Sequence, residues 1–279
     1  MKLTKMSIAA LCVSLSAIYA SSVRADILAN NPSTGDETLF QGNVNGSLGV
    51  PGVFVGTDSN TSFKYGLMAF NISSIPVGSP ITGVTLDLYI GMVAGSGGQT
   101  VTNFGPPRTI SVFDESQPWG ASTNIPGRAS FAGTGQGSPA NPGDATWNDA
   151  SFNSNAALAV PWTTGTPANI TSSSVALATT AGIPGTSNAL VQWSSAALTA
   201  EIQGWVNNPS SNNGLVLVNA NSTGAQSFLG FWGAQGAINS GNGLSPDLIV
   251  TYVPEPVSLS LVALVAPILL CRRQRRAMI

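Results

Sequence analysis

Residues 84–90 read Val-Thr-Leu-Asp-Leu-Tyr-Ile, which puts Val84, Leu86, Leu88 and Ile90 on one face and Thr85, Asp87 and Tyr89 on the other. A period of two fits a half-buried strand and not a helix. Residues 67–72 give a second strand, closed by Ser73-Ser74-Ile75-Pro76. Shorter strands are expected at 38–41, 53–57, 109–114, 174–178, 189–193, 214–219, 227–232 and 248–253. Gly, Pro, Asn and Ser separate them, and the chain's 31 Gly and 18 Pro supply the turns. Short strands so punctuated predict an all-β sandwich. One stretch departs from the pattern: Leu198, Ile202, Trp205 and Val206 fall at i, i+4, i+7 and i+8. They predict a single short helix, with Thr199 as a candidate N-cap and Asn207-Asn208-Pro209 as the stop. Residues 133–144 lack apolar periodicity and read as a long loop.

Both ends differ in character from this middle. Met1-Lys2-Leu3-Thr4-Lys5 precedes an apolar run from Ile8 to Ala20, and Val23-Arg24-Ala25 then offers small residues for a cut between Ala25 and Asp26. That order is the one of a secretory signal peptide over 1–25, delivered to a secretion translocase. A buried first helix is one alternative, and a membrane span another, for which the apolar core is shorter than the ~20 residues a bilayer needs. At the other end Val253-Pro254-Glu255-Pro256 leads into an apolar stretch over 257–270. Cys271 and the cluster Arg272, Arg273, Arg275 and Arg276 follow. A helix over about 257–271 would span only ~22 Å, marginal for a ~30 Å bilayer core, and the arginines would hold its end in the cytoplasm.

Pro254-Glu255-Pro256, one short apolar helix and a terminal arginine cluster, in that order, resemble a PEP-CTERM protein-sorting tail over 253–279. The resemblance implies export across the inner membrane of a Gram-negative bacterium and transient anchoring there. It also implies processing by an exosortase-type membrane enzyme that reads the triplet, followed by release to the outer envelope or the extracellular space. Association with exopolysaccharide and biofilm matrix is implied as well. An ordinary C-terminal anchor is the alternative.

Without its ends the chain keeps three bases, Lys64, Arg108 and Arg128, against eleven acids, a net charge of −8. Three bases do not neutralise a phosphate backbone, so nucleic acid is excluded as a partner. Both cysteines, Cys12 and Cys271, lie in the ends, so the middle has no disulfide and relies on its core. Histidine is absent, which removes Ser-His-Asp and Cys-His nucleophile systems and His-ligated zinc.

Residues 66–89 resemble the central strand pair of DNRLRE-type domains, which are also described as carbohydrate-binding modules. Ala145-Thr146-Trp147-Asn148 is similar to that family's Thr-Trp-Asn element. Leu198-Thr199 with Gly204-Trp205-Val206-Asn207-Asn208-Pro209 and Asn212-Asn213-Gly214-Leu215 is similar to its late helix and turn. Pro246-Asp247-Leu248-Ile249-Val250-Thr251-Tyr252 is similar to its closing strand. The resemblance implies a jelly-roll β-sandwich over 26–252. Asn71 and Ala197 stand where the family has Asp, and Phe228-Leu229-Gly230-Phe231-Trp232 lacks its polar Arg and Glu, so no binding site carries over.

Sugar-binding sandwiches present flat rings to the apolar face of a pyranose. Trp119 and Trp162 follow Pro118 and Pro161 in polar, glycine-rich surroundings and are the candidate glycan-stacking residues. Trp147, Trp193 and Trp205 are expected in the core. Asp36-Glu37, Asp58 and Asp114-Glu115 offer oxygen ligands for calcium but in no recognisable ligand spacing, so they read as solvated loop acids. No metal, cofactor or catalytic residue is assigned. A glycosidase needs two converging carboxylates, and the acids here are scattered. The expectation is an exported, non-enzymatic envelope or matrix protein that binds polysaccharide weakly. A purely structural building block is the alternative, and a lyase or hydrolase is a remoter one.

Overall fold

The computed structural model describes residues 26–58, 61–93, 108–122, 130–131, 133–163, 175–183, 185–219 and 227–254. The leader with Ala25, Glu255, Pro256, the expected helix over 257–271 and the arginine cluster lie outside these residues. Among the described residues no helix is long and apolar enough to cross a membrane.

The strands are β1 Ile27–Phe40, β2 Gly46–Ser47, β3 Gly52–Thr57, β4 Phe63–Phe70, β5 Ile81–Val93, β6 Arg108–Asp114 and β7 Ser138–Pro139. They continue with β8 Asp149–Ser151, β9 Val160–Pro161, β10 Ala178–Ile183, β11 Leu190–Trp193, β12 Leu215–Asn219, β13 Leu229–Trp232 and β14 Asp247–Tyr252. Helix α1, Ala196–Asn207, follows β11, and helix α2, Ala234–Ser240, follows β13. The chain is an all-β sandwich, as the strand punctuation predicts.

One long strand joins the two layers. The first half of β1 pairs antiparallel with β14, from Ile27 opposite Tyr252 to Pro32 opposite Asp247. The second half pairs antiparallel with β4, from Ser33 opposite Phe70 to Phe40 opposite Lys64, with a bulge between Ser33 and Gly35. Pro32, which has no N–H to give, sits where β1 changes partner, and the bulge supplies the bend. Layer one is β14, β5 and β11 with β13; layer two is β4, β12, β6 and β10, while β3 bridges β13 and β4.

The layers enclose the main core. The inward row of β5, Val84, Leu86, Leu88 and Ile90, meets Met68, Ile110, Val112, Leu215 and Leu217 from layer two. Trp193 and Trp205 are fully buried in it, as the sequence predicts, and Trp193 Nε1 donates to Ile110 O at 2.8 Å. Helix α1 packs its expected stripe, Leu198, Ile202, Trp205 and Val206, onto this core. Its N-cap is Ser195 and not Thr199: the Ser195 hydroxyl accepts the Leu198 N–H at 2.9 Å.

Three features differ from the sequence reading. β1 begins eleven residues ahead of the expected 38–41 strand, because β14 pairs with a segment that includes Ala-Asn-Asn-Pro, of low intrinsic strand preference. β10 lies at Ala178–Ile183 and not at 174–178. Helix α2 is an addition, seven residues without an apolar stripe, held by close backbone approach: a Cβ at Gly236 would lie 1.8 Å from Pro51 O.

A covered face and an aromatic tier on layer two

Layer two also has an apolar outer face, and a second core forms on it. Alternation along β1, β4, β6 and β12 turns Leu39, Tyr65, Leu67, Phe113, Val216 and Val218 outward. The stretches 116–122 and 144–163, mostly irregular, lie across these side chains and add Ala145, Ala150 and Trp162 to the buried set. Backbone bonds hold the cover in shape: Gly120 N donates to Ala150 O at 2.9 Å and Ala145 N to Gly120 O at 2.7 Å. Only glycine fits at 120, since a Cβ there would stand 1.6 Å from Gly143 O. The expected loop at 133–144 is tied down as well, because Ser138–Pro139 pairs with Gly46–Ser47 and Asn43 Nδ2 donates to Gln136 O at 2.9 Å.

This cover corrects the tryptophan assignment. Trp162 is 2% exposed and donates Nε1–H to Thr146 O at 2.9 Å, so it is a core ring and offers no face to a ligand. Trp119 is half-buried against the same cluster, with its Nε1–H on Asn213 O at 2.7 Å. Trp147, expected in the core, lies at the surface boundary. Its ring centroid is 5.4 Å from that of Tyr65 at 38°, and Tyr65 lies 6.3 Å from Phe63 at 43°. Phe63 and Tyr65 are alternate residues of β4, so the pleat sets both rings on the outer face, and the turn before β8 lays Trp147 against Tyr65. Three half-buried, tilted rings thus form a continuous tier. Period-two reading of residues 63–65 is the signal that would have found it.

The acids expected as solvated loop groups are instead buried. Glu37 accepts from Thr38 N at 2.8 Å, from Leu48 N at 2.6 Å and from the Ser47 hydroxyl at 3.1 Å. Burial pushes its carboxyl well above the usual range, and the nearby Asp144 adds to the rise. Asp36 accepts from Ser33 and from Ala234 N, and burial raises it to about 6. Glu115 is raised to about 8 by burial, with Ser116 and Gln117 donating to one oxygen. Its other oxygen and Asp114 Oδ1 are buried without a hydrogen-bond partner. Asp58 holds the buried Lys64 at 3.0 Å. Among the described residues no three Asp, Glu, Cys or His side chains converge to hold a metal ion.

Two hollows open on the surface. One of about 610 Å³ lies beside Ser33, Asp36, Ser122 and Ile238; another of about 700 Å³ lies between α1 and layer one, beside Thr85, Thr199 and Gln203. The first has one carboxyl in its wall and the second none, and neither has an aromatic ring. A comparison with protein-family models gave no match to this chain, and a comparison with curated proteins gave none either.

Proposed function

We propose that this chain is an exported, non-enzymatic component of the cell envelope or extracellular matrix. In this reading it binds polysaccharide weakly through the Phe63–Tyr65–Trp147 tier. The observation that carries the reading is the tier itself: three half-buried rings in successive contact, against which a pyranose can lay its C–H face. We read the sandwich as a jelly roll of the DNRLRE type, on the motif resemblance and on the two antiparallel layers. The closing strand β14 is a neighbour of β5 in layer one, whereas β4 and β5, which carry the resemblance over 66–89, lie in different layers and are not paired.

Affinity electrophoresis through polysaccharide-containing gels tests the binding. Trp147→Ala is expected to weaken retardation about two- to thirteenfold, the loss of one stacked ring at ~0.5–1.5 kcal/mol. Folding stability is expected to change little, because the ring is not in the core. Retardation equal to wild type would remove the stacking model. Wild-type protein that no polysaccharide retards would leave the structural building block as the better reading.

The address follows from the two ends. We read 1–25 as a signal peptide and 253–279 as a PEP-CTERM tail processed by an exosortase-type enzyme, on their sequence pattern. Mass spectrometry of the exported protein is expected to find an N-terminus at Asp26 and no peptide from the Arg272–Arg276 cluster. Changing Pro254, Glu255 and Pro256 to alanine is expected to keep that cluster attached and the protein in the inner membrane. Normal release of this variant would mean that the triplet is not read.

A further inference from the structure

We infer that the glycan taken by the Phe63–Tyr65–Trp147 tier is uncharged, and that polyuronates and other acidic polymers are turned away. The inference rests on the polysaccharide reading above and narrows its ligand class.

Cations decide it. Recognition of a carboxylate on a sugar needs Arg or Lys at the surface, best as a bidentate guanidinium pair. The described residues hold two such side chains, Lys64 and Arg108, and both are spent inside the fold. Lys64 stands between Phe63 and Tyr65 on β4, so the pleat that sends both rings outward sends the lysine to the opposite face. There it is 1% exposed, bonded to Asp58 and set 5.6 Å and 5.3 Å from the rings of Phe40 and Phe228. Arg108 is 2% exposed and donates Nε–H to Ser227 O at 3.0 Å. The remaining base of the exported part, Arg128, lies outside the described residues.

What the tier does offer beside its rings is neutral or acidic. Asn148, exposed, follows Trp147, and Asp149, half-buried, closes the same turn with its N–H on Thr146 Oγ1 at 3.2 Å. Amide and carboxylate suit sugar hydroxyls. A polymer with a carboxylate on each unit would meet no counter-charge among the described residues and would approach a domain of net charge −8.

The test uses the exported protein in affinity gels, with a neutral glucan, mannan and galactan against alginate and polygalacturonate. Each is run at low and high salt with a chelator present. Retardation by a neutral polymer, unaffected by salt, with none by the acidic polymers, is the expected result. Salt-sensitive retardation by alginate or polygalacturonate would overturn the inference while leaving polysaccharide binding in place. Retardation by none would remove the parent reading, and the inference with it. Asn148→Lys supplies the missing cation beside Trp147 and is expected to gain retardation by alginate at low salt that high salt abolishes. A variant that gains none would place the glycan away from this turn and overturn the assignment.

Discussion

Trp162→Ala is expected to destabilise the domain by about 3–5 kcal/mol, the range for removing a buried aromatic ring from a packed site. The ring is buried among Leu39, Leu67, Ala145, Ala150 and Val216, and its N–H satisfies Thr146 O. Truncation would leave both a cavity and an unpaired carbonyl in the turn that positions Trp147. Equilibrium unfolding in urea measures the loss directly. In a domain of about 230 residues the melting temperature should fall by roughly 6–20 °C. A loss under ~1 kcal/mol would show that the outer face of layer two is not a second core. Trp147→Ala, at the margin of the same cluster, should cost far less, and that contrast separates the covering segment's interior from its surface.

Stability is expected to be greatest in mild acid and to fall as the solution becomes alkaline. Asp36, Glu37 and Glu115 all have carboxyl groups raised by burial. The folded state therefore binds protons more tightly than the unfolded chain between pH ~4 and the folded values. In that window stability decreases with rising pH. For Asp36 the window ends at about 6, and for Glu115 at about 8. The move of Asp36 from 3.8 to about 6 alone corresponds to about 3 kcal/mol lost by neutral pH. Thermal melts at pH 4.5 and pH 8.5 measure the effect, and the melting temperature should be lower at pH 8.5 by at least roughly 6 °C. Asp36→Asn should flatten the part of the curve below pH 6, since the amide stays neutral at every pH. A curve that rises towards pH 8.5 would mean that these acids find counter-charges in the fold.

The sandwich class, the β5 strand and helix α1 are legible in the sequence because their signals are local. Val84 to Ile90 alternate without a break, and Leu198, Ile202, Trp205 and Val206 repeat at the helical period. Trp193 and Trp205 belong to those patterns and fell in the core accordingly. What escaped is long-range. Nothing beside Pro161-Trp162 shows that the segment folds back over Leu39, Leu67 and Val216, so the ring read as a loop platform. Asp36-Glu37 read as a turn because the groups that bury them, Leu48, Ser47 and Ala234, come from distant elements. Lys64 counts among the three bases of the chain without its ends, and the alternation that exposes Phe63 and Tyr65 already turns it inward. The candidate tier was thus half-readable: its strand residues follow from the period of two, while the arrival of Trp147 on Tyr65 depends on how the cover folds.

The most direct test of the binding claim follows the six indole N–H signals of the ¹⁵N-labelled protein as a neutral oligosaccharide is added. The account predicts a saturable shift at Trp147. Trp162 and Trp193, whose N–H groups are held by Thr146 O and Ile110 O inside the two cores, should stay in place. Saturable shifts at other tryptophans with Trp147 unmoved would contradict it.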